Sequence, residues 1–304
     1  MSDDAITSKR EKAIELDNWS WFDLNLWSAH PEVETAIANI FDLLKTQPTY
    51  TGRPNIWKKH LKVAILNLAA AWLTDPAIYV GYYRDGNYYS KVPGRYNHNY
   101  IKRTLVKVID GLIGAGLIIQ YIGHHSRTGE WKSHVSRIRV LPLLLDSRFG
   151  TKKIRPWMIE KAPTTECIVM RVKNPDTKER VEIDYKDTAE TFRMRRDLIA
   201  YNNLLRSQFI DLPFVPEQGI KTKSGKYVWI NHTDKFVRRI FNNNSWEDGG
   251  RFYGGWWQRI PKEWRLKIRI MANTVVEIDY SGLHIVLLYA LEGIDYWDHI
   301  GTDP

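Results

Sequence analysis

Apolar residues return at helical spacing in three places along the first half of the chain. In "HPEVETAIANIFDLL", Val33, Ile37, Ile40, Leu43 and Leu44 share one face, and residues 12–46 read as helical. "NIWKKHLKVAILNLAAAWLTD" predicts a long helix that ends before Pro76, because a proline pushes the residue before it out of the helical region. In "NYIKRTLVKVIDGLIGAG" the residues Ile101, Leu105, Val108, Ile109 and Leu112 face inward, while Lys102, Arg103 and Lys107 face out. The stretch "AIYVGYYRDGNYYSKVPGRYNHN" holds too many Gly, Pro and Asn for a helix, and "RDGNYY" predicts a turn between two aromatic strands. Two short strands, "GLIIQYIG" and "HVSRIRVLP", then flank the polar loop "HHSRTGEWKS".

The pattern changes around "KKIRPWMIEKAPTTE", which predicts a domain boundary near residue 160. "CIVMRVKNPDTKERVEIDY" reads as a hairpin turning at "NPDT". "DTAETFRMRRDLIAYNNLLRS" follows as a helix with Met194, Leu198, Tyr201 and Leu205 on one face and Arg193, Arg195 and Arg196 outside it. "KYVWINHTDKFVRRIFNN" predicts another strand and a basic helical turn. Last comes "TVVEIDYSGLHIVLLYALEG", a buried strand leading to Asp279, a sharp turn, and an apolar helix ending on Gly293.

In the first half, the order of a helical pair, a basic helix and a strand-loop-strand resembles a winged helix-turn-helix. The resemblance implies that the helix from about Asn99, with Lys102, Arg103 and Lys107, enters a major groove, while Arg127 and Lys132 of the wing contact phosphates. The alternative is a small helical domain whose charged face is solvated. His124, His125 and His134 match no standard metal spacing. The expected class is α+β: an N-terminal helical segment over 1–46, a winged-helix-like domain over 47–160, and a mixed α/β module over 161–304.

Composition sharpens the expected partner. Thirteen Trp and sixteen Tyr accompany a formal net charge of +9. Cations suit phosphates and flat rings suit unpaired bases, so nucleic acid is the expected partner, DNA ahead of RNA. A basic protein with a Trp-rich core is the alternative. A single cysteine, Cys167, excludes an internal disulfide and fits a reducing cytoplasm. The first residues are polar with no apolar run resembling a signal peptide, and no segment approaches about 20 uncharged apolar residues, so no membrane span is expected.

The run "RRIFNNNSWEDGGRFYGGWWQRIPKEWRLKIRIMANTVVEIDYSGLHIVLLYALEG", residues 238–293, resembles the first palm motif of family A DNA polymerases and the block before it. That family carries a Gly-Arg, a short loop, an "IP", an Arg, and a strand ending in "DYSQIELR". The related single-subunit phage-type RNA polymerases use a pattern close to "DGSxxGLQH", and "SGLH" falls between the two. The resemblance implies a palm-like module in which Asp279 and the backbone carbonyl of Tyr280 hold Mg²⁺ or Mn²⁺. Nucleotidyl transfer needs two such ions, held by carboxylates that project from a sheet. Arg251, Arg265, Ser281 and His284 would face nucleotide or template, since guanidinium forks suit phosphate. Where family A DNA polymerases place a ribose-excluding Glu, this chain has His284. No second acid motif occurs, so the module is expected to be incomplete for nucleotidyl transfer. The competing role for Asp279 is a helix N-cap, that for His284 a helix-surface or core histidine, and that for Trp256 and Trp257 ordinary packing. Two functions remain open: a replication-associated polymerase relative that binds nucleic acid, or a non-enzymatic winged-helix replication or regulatory factor.

Overall fold

Proline starts the first two helices, where its missing N–H costs nothing and its fixed φ suits the helix. In the computed structural model, which describes residues 18–123, 135–175, 178–215, 219–222, 227–231, 233–278 and 282–300, α1 spans Pro31–Leu44 and α2 spans Pro54–Thr74. Two short strands precede them, β1 (Trp19–Trp21) and β2 (Leu26–Trp27), so the helix expected over residues 12–46 begins only at Pro31. His30 is held extended before Pro31, and Trp19 is drawn into a sheet instead.

After α2 come β3 (Tyr79–Tyr82), α3 (Gly86–Lys91), α4 (Thr104–Gly114), β4 (Ile118–Tyr121) and β5 (Ser136–Val140). The expected turn at "RDGNYY" is instead the start of α3. Asp85 caps that helix by accepting from the Asn87 N–H at 2.9 Å, which satisfies an N-terminal donor and makes a helix the cheaper choice. The sheet runs β1-β3-β5-β4; β1 lies parallel to β3 and the other pairs are antiparallel. The ring of Trp19 stands over Gly81, where a Cβ would come within 2.5 Å of it, so that close approach requires glycine. One face of the sheet, carrying Val80, Tyr82, Ile118 and Ile138, packs against α2 and α4 in a core with Trp57, Leu61, Ile65, Leu66, Leu105, Val108 and Leu112.

Beyond it lie β6 (Glu160–Lys161), β7 (Ile168–Lys173), β8 (Arg180–Ile183) and α5 (Ala189–Ser207). The β7–β8 hairpin and α5 fall where the pattern predicts them. The helix opens on a capping box between Thr188 and Thr191. The strands β9 (Ile210–Asp211), β10 (Gly219–Lys221), β11 (Tyr227–Trp229), β12 (Val237–Phe241) and β13 (Gly249–Gly254) follow. "VRRIF" is therefore a strand, not a helical turn: β12 lies parallel to β7 and antiparallel to β13, so its backbone groups find partners on both sides. The sheet order is β13-β12-β7-β8, and a second buried cluster containing Ile168, Met170, Leu198, Leu205, Phe241 and Trp256 packs against it. The chain is thus of the α+β class.

Contacts cross the position where the composition changes. β2 pairs with β6, and Arg95 donates to Glu166 at 3.0 Å and Asp184 at 2.8 Å. Arg195 donates to Glu166 at 3.0 Å and to Asp187 at 2.6 Å, and the Glu166 carboxylate also accepts the N–H groups of Cys167 and Ile168. A carboxylate this enclosed is tolerable because two guanidinium groups and two amides satisfy it.

The end of the described chain departs most from expectation. A small helix α6 (Lys262–Arg265) leads to β14 (Arg269–Ile270) and β15 (Asn273–Thr274), with β14 between β15 and β9. Residues 275–278, expected in a buried strand, lie in no strand, and Val276 and Ile278 are 80% and 79% exposed. No neighbouring strand meets them among the described residues, and an unpaired segment gains nothing from burying its backbone. The helix α7 (Leu283–Leu291) follows, its N-cap Gly282 in a left-handed conformation at φ 61, and then α8 (Tyr296–Ile300).

Candidate nucleic-acid interface

The N-terminal ends of α2 and α4 carry a concentration of cations that the local sequence leaves unopposed. Neither residues 51–74 nor 86–109 contain an Asp or Glu, and Arg53, Lys102, Arg103 and Lys107 are exposed. Among the described residues Arg53, Lys59, Lys102 and Arg103 have no carboxylate partner. Lys107 donates to Thr51 Oγ1 at 2.8 Å, which ties α4 to the start of α2. Lys62, one turn further along α2, shows the other fate of a lysine here. Its side chain is buried over the Trp27 ring at 3.8 Å and paired with Glu34.

The loop before α4 is held by its own polar groups. Asn97 accepts the Ile101 N–H at 2.8 Å and donates to the Ile101 carbonyl at 2.7 Å. His60 is buried; its Nδ1 donates to the Ile56 carbonyl at 2.7 Å while Nε2 accepts the Lys102 N–H at 3.0 Å, a pattern only the neutral ring can make. Burial is the main cause of a lowered His60 pKa, and Lys59 and Lys102 add to it by repelling a proton. Between these anchors Tyr100 adopts φ 50 and stands 62% exposed, with Lys59 over its ring at 5.3 Å. The result is a fixed ledge presenting Tyr100, Lys102 and Arg103 at the start of α4.

The structure therefore brings together Lys102, Arg103 and Lys107 on one exposed face. Arg127 and Lys132, and with them His124, His125 and His134, lie outside the described residues, although the strands flanking that loop are antiparallel, with Tyr121 opposite Arg137. Asp279, Tyr280 and Ser281 also lie outside them. Arg251 is exposed on β13 opposite Ile240, Arg265 is exposed on α6 and pairs with Glu277 at 2.9 Å, and His284 is exposed in the first turn of α7. The N-cap position of α7 belongs to Gly282. Trp256 is fully buried and packs edge-on against Trp257, in keeping with the packing alternative for that residue. Among the described residues no three His, Cys, Asp or Glu side chains gather in a way that could hold a metal ion. Cys167 is a buried free thiol, and burial pushes its pKa up to about 12, which leaves it unreactive.

Sequence reasoning missed a second feature beside the basic face, a surface stack of Trp21, Tyr83 and Tyr88. Trp21 and Tyr83 stack at 5.6 Å and 24°, and Tyr83 and Tyr88 at 3.8 Å and 26°. Tyr83 and Tyr88 stand five residues apart, but Trp21 lies about sixty residues before them, so no local spacing announces the stack. Among the described residues no helix is long and apolar enough to cross a membrane. No protein-family model, curated protein or solved structure matches the chain.

Proposed function

We propose that this chain binds nucleic acid, duplex DNA in preference to RNA, in the cytoplasm, with α4 as the element that enters the groove. The observation that carries the proposal is the exposed Lys102, Arg103 and Lys107, none of which pairs with a carboxylate among the described residues. They stand on a unit ordered helix, strand, helix, helix, strand, strand. That order is similar to a winged helix-turn-helix, in which the last helix of the unit lies in the major groove and the loop between the final strands reaches phosphates. Arg53 and Lys59, at the start of α2, extend the positive surface toward the backbone of a bound duplex.

Fluorescence anisotropy on a labelled duplex over a series of salt concentrations tests it. Binding should weaken steeply with salt, and replacing Lys102, Arg103 and Lys107 together by Ala should lower the slope by roughly 0.9 for each phosphate that is no longer neutralised. An affinity indifferent to salt, or one unchanged in the triple variant, overturns the proposal.

A second reading makes the C-terminal module a replication-associated relative of family A polymerases, with Asp279 as an inherited metal-ligand position. What supports it is the run over residues 238–293 alone, since residues 275–278 lie in no strand and Val276 and Ile278 are exposed. Mn²⁺ with a nucleotide should then raise the melting temperature of the wild type and leave Asp279→Asn unmoved. An equal response in both removes the metal role.

A further inference from the structure

The Trp21, Tyr83 and Tyr88 rings form a column on the surface, not a core. Trp21 is 55% exposed and stands at the end of β1, Tyr83 follows β3, and Tyr88 lies on α3. Each ring is fixed by its backbone. Trp21 pairs in register with Gly81, and the Phe22 N–H donates to the Gly81 carbonyl at 2.9 Å. The Tyr83 carbonyl accepts the Tyr89 hydroxyl at 2.8 Å, and Asp85 caps α3. Trp19 and Trp21 meet edge to face at 4.7 Å, and Tyr88 and Tyr89 at 5.3 Å, contacts that hold the two outer rings in place. Exposed aromatic area of this kind loses hydrophobic stabilisation unless something flat covers it.

Its neighbours are charged unequally. At Gly86, two residues before Tyr88, a Cβ would lie 2.7 Å from Cβ of Arg103, so the start of α3 abuts Arg103 of the basic face. Glu179 is near enough to influence Tyr83 and Glu182 to influence Tyr88, and Glu182 is itself paired with Arg171 at 3.2 Å. A phosphate chain beside the column would therefore run along Arg103 and away from those acids. Burial pushes the Tyr88 phenol up to about 12, so the column carries no negative charge of its own at neutral pH.

We propose that the Trp21, Tyr83 and Tyr88 column is a stacking platform for unpaired bases. The ligand of the basic face is then a duplex that continues into a single-stranded tail, the tail leaving α4 beside Arg103 and stacking on the exposed rings. This rests on the duplex-binding reading of α4, but uses different residues. Rings accept any base, so the platform would read the presence of a single strand and not its sequence.

The test compares three labelled probes by anisotropy with the full chain: a blunt DNA hairpin, the same hairpin with a thymidine tail on either end, and the tail alone. One tail polarity should tighten binding roughly 5- to 150-fold over the blunt hairpin, as one stacked base does in other proteins. Trp21→Ala and Tyr88→Ala should each remove most of that gain and leave blunt-hairpin affinity unchanged, while Tyr88→Phe, which keeps the ring, should retain it. If the blunt hairpin binds and neither tail adds affinity, or the gain survives both alanine variants, the platform is overturned and duplex binding stands. If the tail alone binds through Trp21 while the blunt hairpin does not, the platform stands and the role of α4 falls. Binding of none of the three overturns both.

Discussion

The helices α2 and α7 are both rich in apolar residues and live in opposite surroundings. Along α2, Trp57, Leu61, Val63, Ala64, Ile65, Leu66 and Leu68 are all buried, on every side of the helix. Along α7, Leu283, Ile285, Leu287, Leu288 and Leu291 are between 41% and 82% exposed. A helix apolar all round should sit inside a structure, and α2 does so with α1, α4 and a sheet against it. Even its polar residues are absorbed: Asn67 donates to the Val63 carbonyl at 2.8 Å and accepts the Asp23 N–H at 2.7 Å. For α7 the described residues supply no such cover. The pattern of a segment states what it would bury; only its neighbours decide whether it does.

The largest effect should follow from damage to α2. Leu66 is 0% exposed, so Leu66→Ala removes buried methyl groups and leaves a cavity among side chains that cannot all collapse into it. The expected loss is about 2–5 kcal/mol of unfolding free energy, read from the urea midpoint at constant slope. A loss below about 1 kcal/mol would mean that the packing around α2 is loose, and the contrast with α7 would weaken accordingly.

An intermediate effect belongs to the buried histidine of the same helix. The folded His60 pKa is lowered from 6.5, chiefly by burial, so the unfolded chain takes up a proton at a pH where the folded chain does not. Its contribution to stability is therefore complete above about 6.5 and is lost as the pH falls through the folded value. Melting temperatures measured from pH 8 to pH 5 should drop more steeply for the wild type than for His60→Gln, which cannot titrate. Removing the acceptor of the Lys102 N–H outright, as in His60→Ala, should cost about 1–3 kcal/mol at pH 8. Parallel pH profiles for wild type and His60→Gln would show that the ring is not held neutral.

Local pattern carried the fold where contacts are local. The helices α2, α4 and α5 and the β7–β8 hairpin are written in spacing and turn residues, because each satisfies most of its backbone within one segment. The parallel pairings of β1 with β3 and of β12 with β7 join strands about 60–70 residues apart, and no periodicity reports such a partner. "RDGNYY" misleads because Asp followed by Gly serves a hairpin turn and a helix cap equally well. The same division holds for the candidate interface. Lys102, Arg103 and Lys107 stand out as the polar side of one amphipathic helix, whereas Trp21 reaches Tyr83 and Tyr88 only after β1 has paired with β3. Pattern alone also mistook Val276 and Ile278 for the inside of a strand, since alternation records a preference for burial and not a neighbour.

The smallest effect is expected in α7, and it is the most direct test of the contrast. Leu288 is 63% exposed, so Leu288→Ala deletes methyl groups that already meet water. No cavity forms, helix propensity rises slightly, and unfolding free energy should stay within about 0.5 kcal/mol of the wild type. The same substitution should reduce binding of an apolar dye such as ANS, because it removes part of the surface that such dyes find. A cost above about 2 kcal/mol from urea titration at low protein concentration would mean that Leu288 is packed in solution, with cover supplied by part of this chain. A cost that appears only as concentration rises would place that cover on a second copy, since stability then follows mass action. If neither cost is seen, α7 is an apolar helix that folding of this chain leaves open.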